Sequence, residues 1–142
     1  MKLVFASDHR GYELKEYLYK YAKESSYNVK NLGSDDNNKI VDYPYYAKLL
    51  CNFILENEDY YGILICSTGI GMSIAANRYS EIRAALCLND FMAKKAKQHN
   101  NANVLILAAK LVSNEEALMI FNEFLNNKFD GGRHFKRISQ LS

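Results

Sequence analysis

Four short stretches of this chain are apolar almost throughout: Leu3-Val4-Phe5-Ala6, Ile63-Leu64-Ile65-Cys66, Ala84-Ala85-Leu86-Cys87-Leu88 and Val104-Leu105-Ile106-Leu107. A strand with one wet face alternates apolar and polar residues. Unbroken runs of this length therefore mark strands covered on both faces, as in parallel sheets. A fifth segment, Tyr27-Asn28-Val29-Lys30-Asn31-Leu32, does alternate and is expected as a half-buried edge strand. Strand starts near 2, 28, 62, 83 and 104 leave room in every gap for one crossover helix, which parallel neighbours require. The expectation is an α/β fold with a five-stranded parallel sheet, forming one domain over residues 1–142.

Between the runs the apolar period changes to that of a helix. Leu14, Tyr17, Leu18 and Tyr21 fall at i, i+3, i+4 and i+7, and so do Ala47, Leu50, Cys51 and Ile54. Pro44 suits the first turn of the second helix, where its missing N–H has no partner to lose. Ser113-Asn114-Glu115-Glu116 is a capping box, with Leu118, Phe121 and Leu125 striping the helix behind it. A weaker helix is expected from Asp90 to Asn101.

Charge and composition exclude several function classes. Eighteen Lys+Arg against 16 Asp+Glu leave +2, which calls for no nucleic-acid or membrane partner. With 49% apolar and 24% charged residues the chain is neither disordered nor fibrous. No stretch approaches the ~18 apolar residues of a spanning helix. The N-terminus turns polar at Ser7, short of the about 7–15 apolar residues of a signal peptide, so a cytoplasmic protein is expected. Cys51, Cys66 and Cys87 form no CxxC pair, and no disulfide framework or zinc site is expected from them.

In open α/β folds, ligands bind beyond the carboxyl ends of the strands. That rule selects residues 7–11, 66–71, 89–90 and 108–110. The stretch Cys66-Ser67-Thr68-Gly69-Ile70-Gly71 runs from a buried strand towards a helix at Ile74-Ala75-Ala76-Asn77. Its glycines let backbone N–H groups converge, and the helix adds its positive end, which together make an anion cradle. The segment lacks the third small residue of a dinucleotide fingerprint, since Ile74 stands there, and it lacks the Gly-Lys-Ser/Thr of a P-loop. A small anion fits it better than a nucleotide.

Cys66 closes its strand facing that cradle. An ordinary thiol is only a few per cent thiolate at neutral pH, and a helix N-terminus is expected to lower its pKa. Thr68 could supply a hydrogen bond. His9, His99 and His134 all fall near expected loops, with His99 favoured in its charged form by a helix C-terminus. Arg133 and Arg137, four apart, share one helix face and suit a phosphate.

Several stretches, spread over nearly the whole chain and in register, resemble ribose-5-phosphate isomerase type B, a family grouped with the galactose-6-phosphate isomerase subunits. They are Asp8-His9-Arg10-Gly11, Asp42-Tyr43-Pro44, residues 62–71, Ser73-Ile74-Ala75-Ala76-Asn77, His99-Asn100 and Gly131-Gly132-Arg133-His134 with Arg137. The resemblance implies a Rossmann-like three-layer sandwich and an aldose–ketose isomerase of ribose 5-phosphate and ribulose 5-phosphate. It implies Cys66 as the base, Thr68 as its orienting neighbour and His99 as the acid that opens the furanose ring. Ser67, Gly69, Ile70 and Gly71 would hold the enediolate oxygen, and Asp8 and Asn100 the sugar hydroxyls. His9, Arg133, Arg137 and position 110 would meet the phosphate. Here position 110 is Lys110, where the family commonly places arginine; the charge is kept and the planar fork is lost. The resemblance further implies no metal or cofactor, and a homodimer or homotetramer whose sites lie between subunits, with His99, Asn100 and Lys110 coming from the neighbour. A six-carbon sugar phosphate, such as allose or galactose 6-phosphate, is the alternative substrate. A non-catalytic phosphate- or nucleotide-binding module is the alternative class.

Overall fold

All five strands form in the computed structural model, which describes residues 1–141. They are β1 (Lys2–Ser7), β2 (Asn28–Asn31), β3 (Tyr60–Cys66), β4 (Ala84–Leu86) and β5 (Val104–Ala108). Every pairing is parallel, in the order β2-β1-β3-β5-β4. Among the described residues there are six helices: α1 (Tyr12–Glu24), α2 (Tyr43–Glu56), α3 (Ile70–Ala76), α4 (Asp90–Asn100), α5 (Asn114–Asn126) and α6 (Arg133–Ile138).

The two-residue period of a strand divides the apolar runs between two cores. Leu3 and Phe5, Ile63 and Ile65, and Leu105 and Leu107 pack with α1, α4 and α5 on one side. Val4 and Ala6, Leu64 and Cys66, and Val104 and Ile106 pack with α2 and α3 on the other. The result is the expected α/β three-layer sandwich. Cys66 takes its side from this alternation, which aims it under α3.

Three elements differ from the sequence expectation. The run at 84–88 is not covered on both faces: β4 is a three-residue edge strand paired only with β5, and Ala84, Ala85 and Leu86 are half-buried. Its apolar character comes from covering the rim of the core, which a run of side chains alone does not distinguish from a central position. On α1 the buried stripe is Leu14, Lys15, Leu18 and Ala22, while Tyr17 is exposed. The third helix starts at Ile70 rather than near Ile74, so Ile70 and Gly71 belong to its first turn.

Lys15 is buried because its ammonium is fully engaged. It donates to Asn31 Oδ1 (2.8 Å), the Ser34 carbonyl (2.9 Å) and Glu16 Oε1 (3.1 Å). Burial pulls its pKa down, against the pull of Glu16 upward. Through these bonds α1 holds the chain after β2 against the end of β1. There Ser7 N–H donates to the Gly33 carbonyl and Ser34 N–H to the Ser7 carbonyl, both at 2.8 Å. The loop that follows Ser7 therefore leaves the sheet from a fixed point.

Gly11 caps α1 where the helix start presses on the backbone of β3. A Cβ there would lie 2.4 Å from the Ile65 carbonyl oxygen, on the backbone of the central strand, and nothing flexible is available to yield. Gly11→Ala should therefore destabilise the protein by about 1–3 kcal/mol, the usual cost of overpacking. Urea unfolding checks this; an unchanged midpoint would show that α1 can retreat from β3.

Candidate active site

The loops after β1, β3 and β5 meet at the carboxyl end of the sheet. Parallel register sets them level, with Ser7 opposite Ile65 and Cys66 opposite Ala108. Backbone bonds then join loop to loop: Asp8 N–H to the Ile65 carbonyl (3.3 Å), Ala109 N–H to the Cys66 carbonyl (2.9 Å) and Lys110 N–H to the Ser67 carbonyl (2.9 Å). Between them lies an open cleft of about 400 Å³, lined by His9, Arg10, Glu13, Asn37, Ser67, Ala109 and Lys110. Three basic side chains on one small cleft suit an anion.

Each wall has a physical reason for its shape. Asp8, buried, accepts from the N–H groups of Arg10 and Gly11 at 3.0 Å each, turning the chain into α1. His9 accepts from Val41 N–H at Nδ1 (3.2 Å). In its neutral form the ring therefore carries its hydrogen on Nε2, available to a ligand. Gly69 caps α3 with φ +76°, and a Cβ there would strike Leu86. The tight strand–helix junction thus needs glycine on two counts. Tyr43, at the start of α2, lies over Gly71, where a Cβ would come within 2.6 Å of its ring.

Cys66 is 5% exposed, beside the cleft rather than among its lining residues. Burial pushes its thiol pKa up. The backbone N–H groups of Met72, Gly69 and Thr68 pull it down, and the Asp8 carboxylate adds to the rise. The net direction is upward, which corrects the expectation that the helix N-terminus would lower it. Desolvation outweighs a helix of only two turns. The arrangement still has chemical meaning: a thiolate formed here faces three amide donors and is a stronger base than an ordinary one. Cys51 and Cys87, without such donors, are pushed up to about 12 by burial alone. Thr68 reaches the sulfur through its backbone, because its exposed hydroxyl accepts from Ile70 N–H (3.4 Å).

His99, Asn100, Arg133 and Arg137 stand elsewhere. The helix α4 begins after the edge strand β4 and runs back, so its last residues precede β5, whose first residue lies opposite Gly62. His99 thus sits at the amino end of the sheet and Cys66 at the carboxyl end, separated by the length of β5, about 16 Å at 3.3 Å per residue. His134 on α6 stacks on His99, with ring centroids 4.1 Å apart and planes 11° apart. Asn100 is exposed and lines a different cavity with Asn77, Arg83 and Leu141. Lys110 goes the other way: the resemblance implies that a neighbour supplies it, yet it lines the same cleft as His9 of its own chain. Its backbone bond to Ser67 holds it there.

Arg10, Glu13, Asn37, Tyr43, Asp130 and His134 carry no role that the sequence pattern predicts. Asn37 donates to Glu13 Oε1 (3.0 Å) from an irregular segment that carries no periodic signal. Tyr43 stands in a quoted motif, and its position over Gly71 needed the packing of α2 on α3.

A parallel α/β domain with a thiol and a basic cleft at the carboxyl ends of its central strands is built to handle a small anionic substrate. Residues 3–141 match the model of the Ribose/Galactose Isomerase family, and the chain belongs to that family. It is 36% identical to ribose-5-phosphate isomerase B of Escherichia coli over 141 residues, covering 99% of this chain and 94% of that protein. A ribose 5-phosphate isomerase from Thermotoga maritima superposes with a TM-score of 0.96 at 49% identity, covering 99% of this chain and 96% of the other. Ribose-5-phosphate isomerase B from Mycoplasma genitalium, solved with bound ribulose-5-phosphate, gives 0.95 at 39% identity, covering 99% and 93%.

The upward shift at Cys66 has a direct test. Titrating thiolate absorbance in wild type minus Cys66→Ala should give a midpoint above the ordinary thiol value of about 8.5. A midpoint at or below that value would mean that the amides, not burial, dominate.

Proposed function

We propose that this protein interconverts ribose 5-phosphate and ribulose 5-phosphate in the cytoplasm, in an assembly of identical chains that completes each site with residues of two subunits. Among the described residues no helix is long and apolar enough to cross a membrane. The observation that carries the reading is Cys66, set under the amides of residues 68, 69 and 72 beside a basic cleft, in a chain of this family.

In this reading His99 protonates the ring oxygen of the bound furanose, and loss of the O1 proton leaves the open-chain aldose. The Cys66 thiolate then removes the proton on C2. The electron pair moves into a C1–C2 double bond, and the negative charge goes to the carbonyl oxygen. Amides of residues 67–71 stabilise that oxygen, each donor contributing on the order of 3 kcal/mol. Return of the same proton from the Cys66 thiol to C1, with the O2 proton passing to the O1 oxyanion, gives the neutral ketose and regenerates the thiolate. No electron leaves or enters. The raised thiol pKa makes the thiolate a stronger base once formed and lowers the fraction present as thiolate near neutral pH. His9 and Lys110 hold the phosphate from one chain, and Arg133 and Arg137 from the other, with Asp8 and Asn100 on the hydroxyls.

The distance between Cys66 and His99 within one chain supports the two-subunit site, since neither can reach a substrate held by the other. Cys66→Ala and His99→Asn should each be nearly inactive on ribose 5-phosphate. Mixed by co-refolding, they should recover about one quarter of wild-type activity, because half of the dimers are then mixed and each has one intact site. No recovery would sink the shared site. Retention of activity within about tenfold by Cys66→Ala alone would sink the base. Lys110→Arg should lower KM with kcat unchanged, as the planar fork adds a second bond to phosphate; an unaltered KM removes Lys110 from the site.

A further inference from the structure

The proposed reaction uses His99 but leaves its surroundings unexplained. After α5 the chain reaches Asp130, whose N–H donates to the Gln98 carbonyl at 2.9 Å, tying it to the end of α4. Gly131 and Gly132 follow with φ +69° and +57°, values that side chains rarely adopt. They reverse the chain so that α6 brings His134 back over His99. One potential ligand atom from each of His99, Asp130 and His134 lies within 4.8 Å of the other two.

We infer that His99, Asp130 and His134 form a binding site for a zinc-like divalent transition-metal ion. Two imidazoles and one carboxylate, with open positions left to water, are a donor set for such ions at about 2.0–2.2 Å. Magnesium, which demands oxygen ligands, is excluded by the same chemistry. His134 is buried and fixed, whereas His99 is half-buried and Asp130 exposed, so the latter two are free to close the remaining distance and tilt out of the stack. Arg133 and Arg137 stand on the same short helix as His134. Those arginines repel a cation, which makes Asp130 the needed counter-charge.

Metal on His99 occupies the group that opens the sugar ring, so the ion acts as an inhibitor. This consequence rests on the role given to His99 above; the site itself does not. The test titrates zinc chloride into the tag-free full-length protein by calorimetry, with magnesium chloride as control. Wild type and Cys66→Ala should each bind one zinc per chain. Asp130→Ala should bind at least about tenfold more weakly, since losing even a hydrogen-bond partner of a metal ligand costs about 10–100-fold, while its isomerase rate in EDTA equals wild type. No zinc binding to wild type, its loss in Cys66→Ala, or its full retention in Asp130→Ala would overturn the site. Binding without inhibition of the isomerase would leave the site standing and overturn the ring-opening role of His99 instead.

Discussion

The position of β3 between β1 and β5 is the constraint on which the rest of the molecule depends. A strand paired on both sides cannot slide by one residue without turning every side chain to the opposite core. Register with both neighbours therefore fixes which face Cys66 takes and the level at which it ends. The backbone bonds among the three following loops carry that alignment beyond the sheet into the cleft. Gly11 against Ile65, and Lys15 against the segment after β2, hold α1 to the same frame. The site inherits its geometry from the pairing of strands, and its loops need little rigidity of their own.

The same architecture divides the chemistry. Parallel strands put all loops of one kind at one end, and the crossover helices must end at the other. Whatever lies at the C-terminus of α4 is thereby removed from Cys66 by the height of the sheet. Folding alone places the thiol at one end of the sheet and the stacked imidazoles at the other. The proposed isomerase joins them by association of two such chains.

Most of the fold was legible in the residues. Unbroken apolar runs in β1, β3 and β5 are a direct consequence of being sandwiched, and the capping box of Ser113 and Glu116 forms as the sequence indicates, with Glu116 N–H donating to Ser113 Oγ at 3.1 Å. The edge position of β4 was not legible, because a strand at the rim of a core and one at its centre differ in neighbours rather than in side chains. The buried Lys15 was hidden for a related reason: its three acceptors come from Asn31, Ser34 and Glu16, and only the fold assembles them. In the site, Cys66 and the glycine junction could be read from adjacency in sequence. The stack of His134 on His99 could not, since it depends on a turn at Gly131–Gly132 whose direction no spacing reveals.

The environment of Cys66 carries one more consequence. Peroxide and other oxidants react with sulfur as the thiolate, and faster when it is open to solvent. A sulfur that is nearly enclosed and whose pKa is raised spends most of its resting life protonated and out of reach. Reaction with oxidants is then confined to the small share of time in which the sulfur is both ionised and uncovered, and the enzyme keeps a soft, oxidisable atom at its centre with little exposure to oxidative damage.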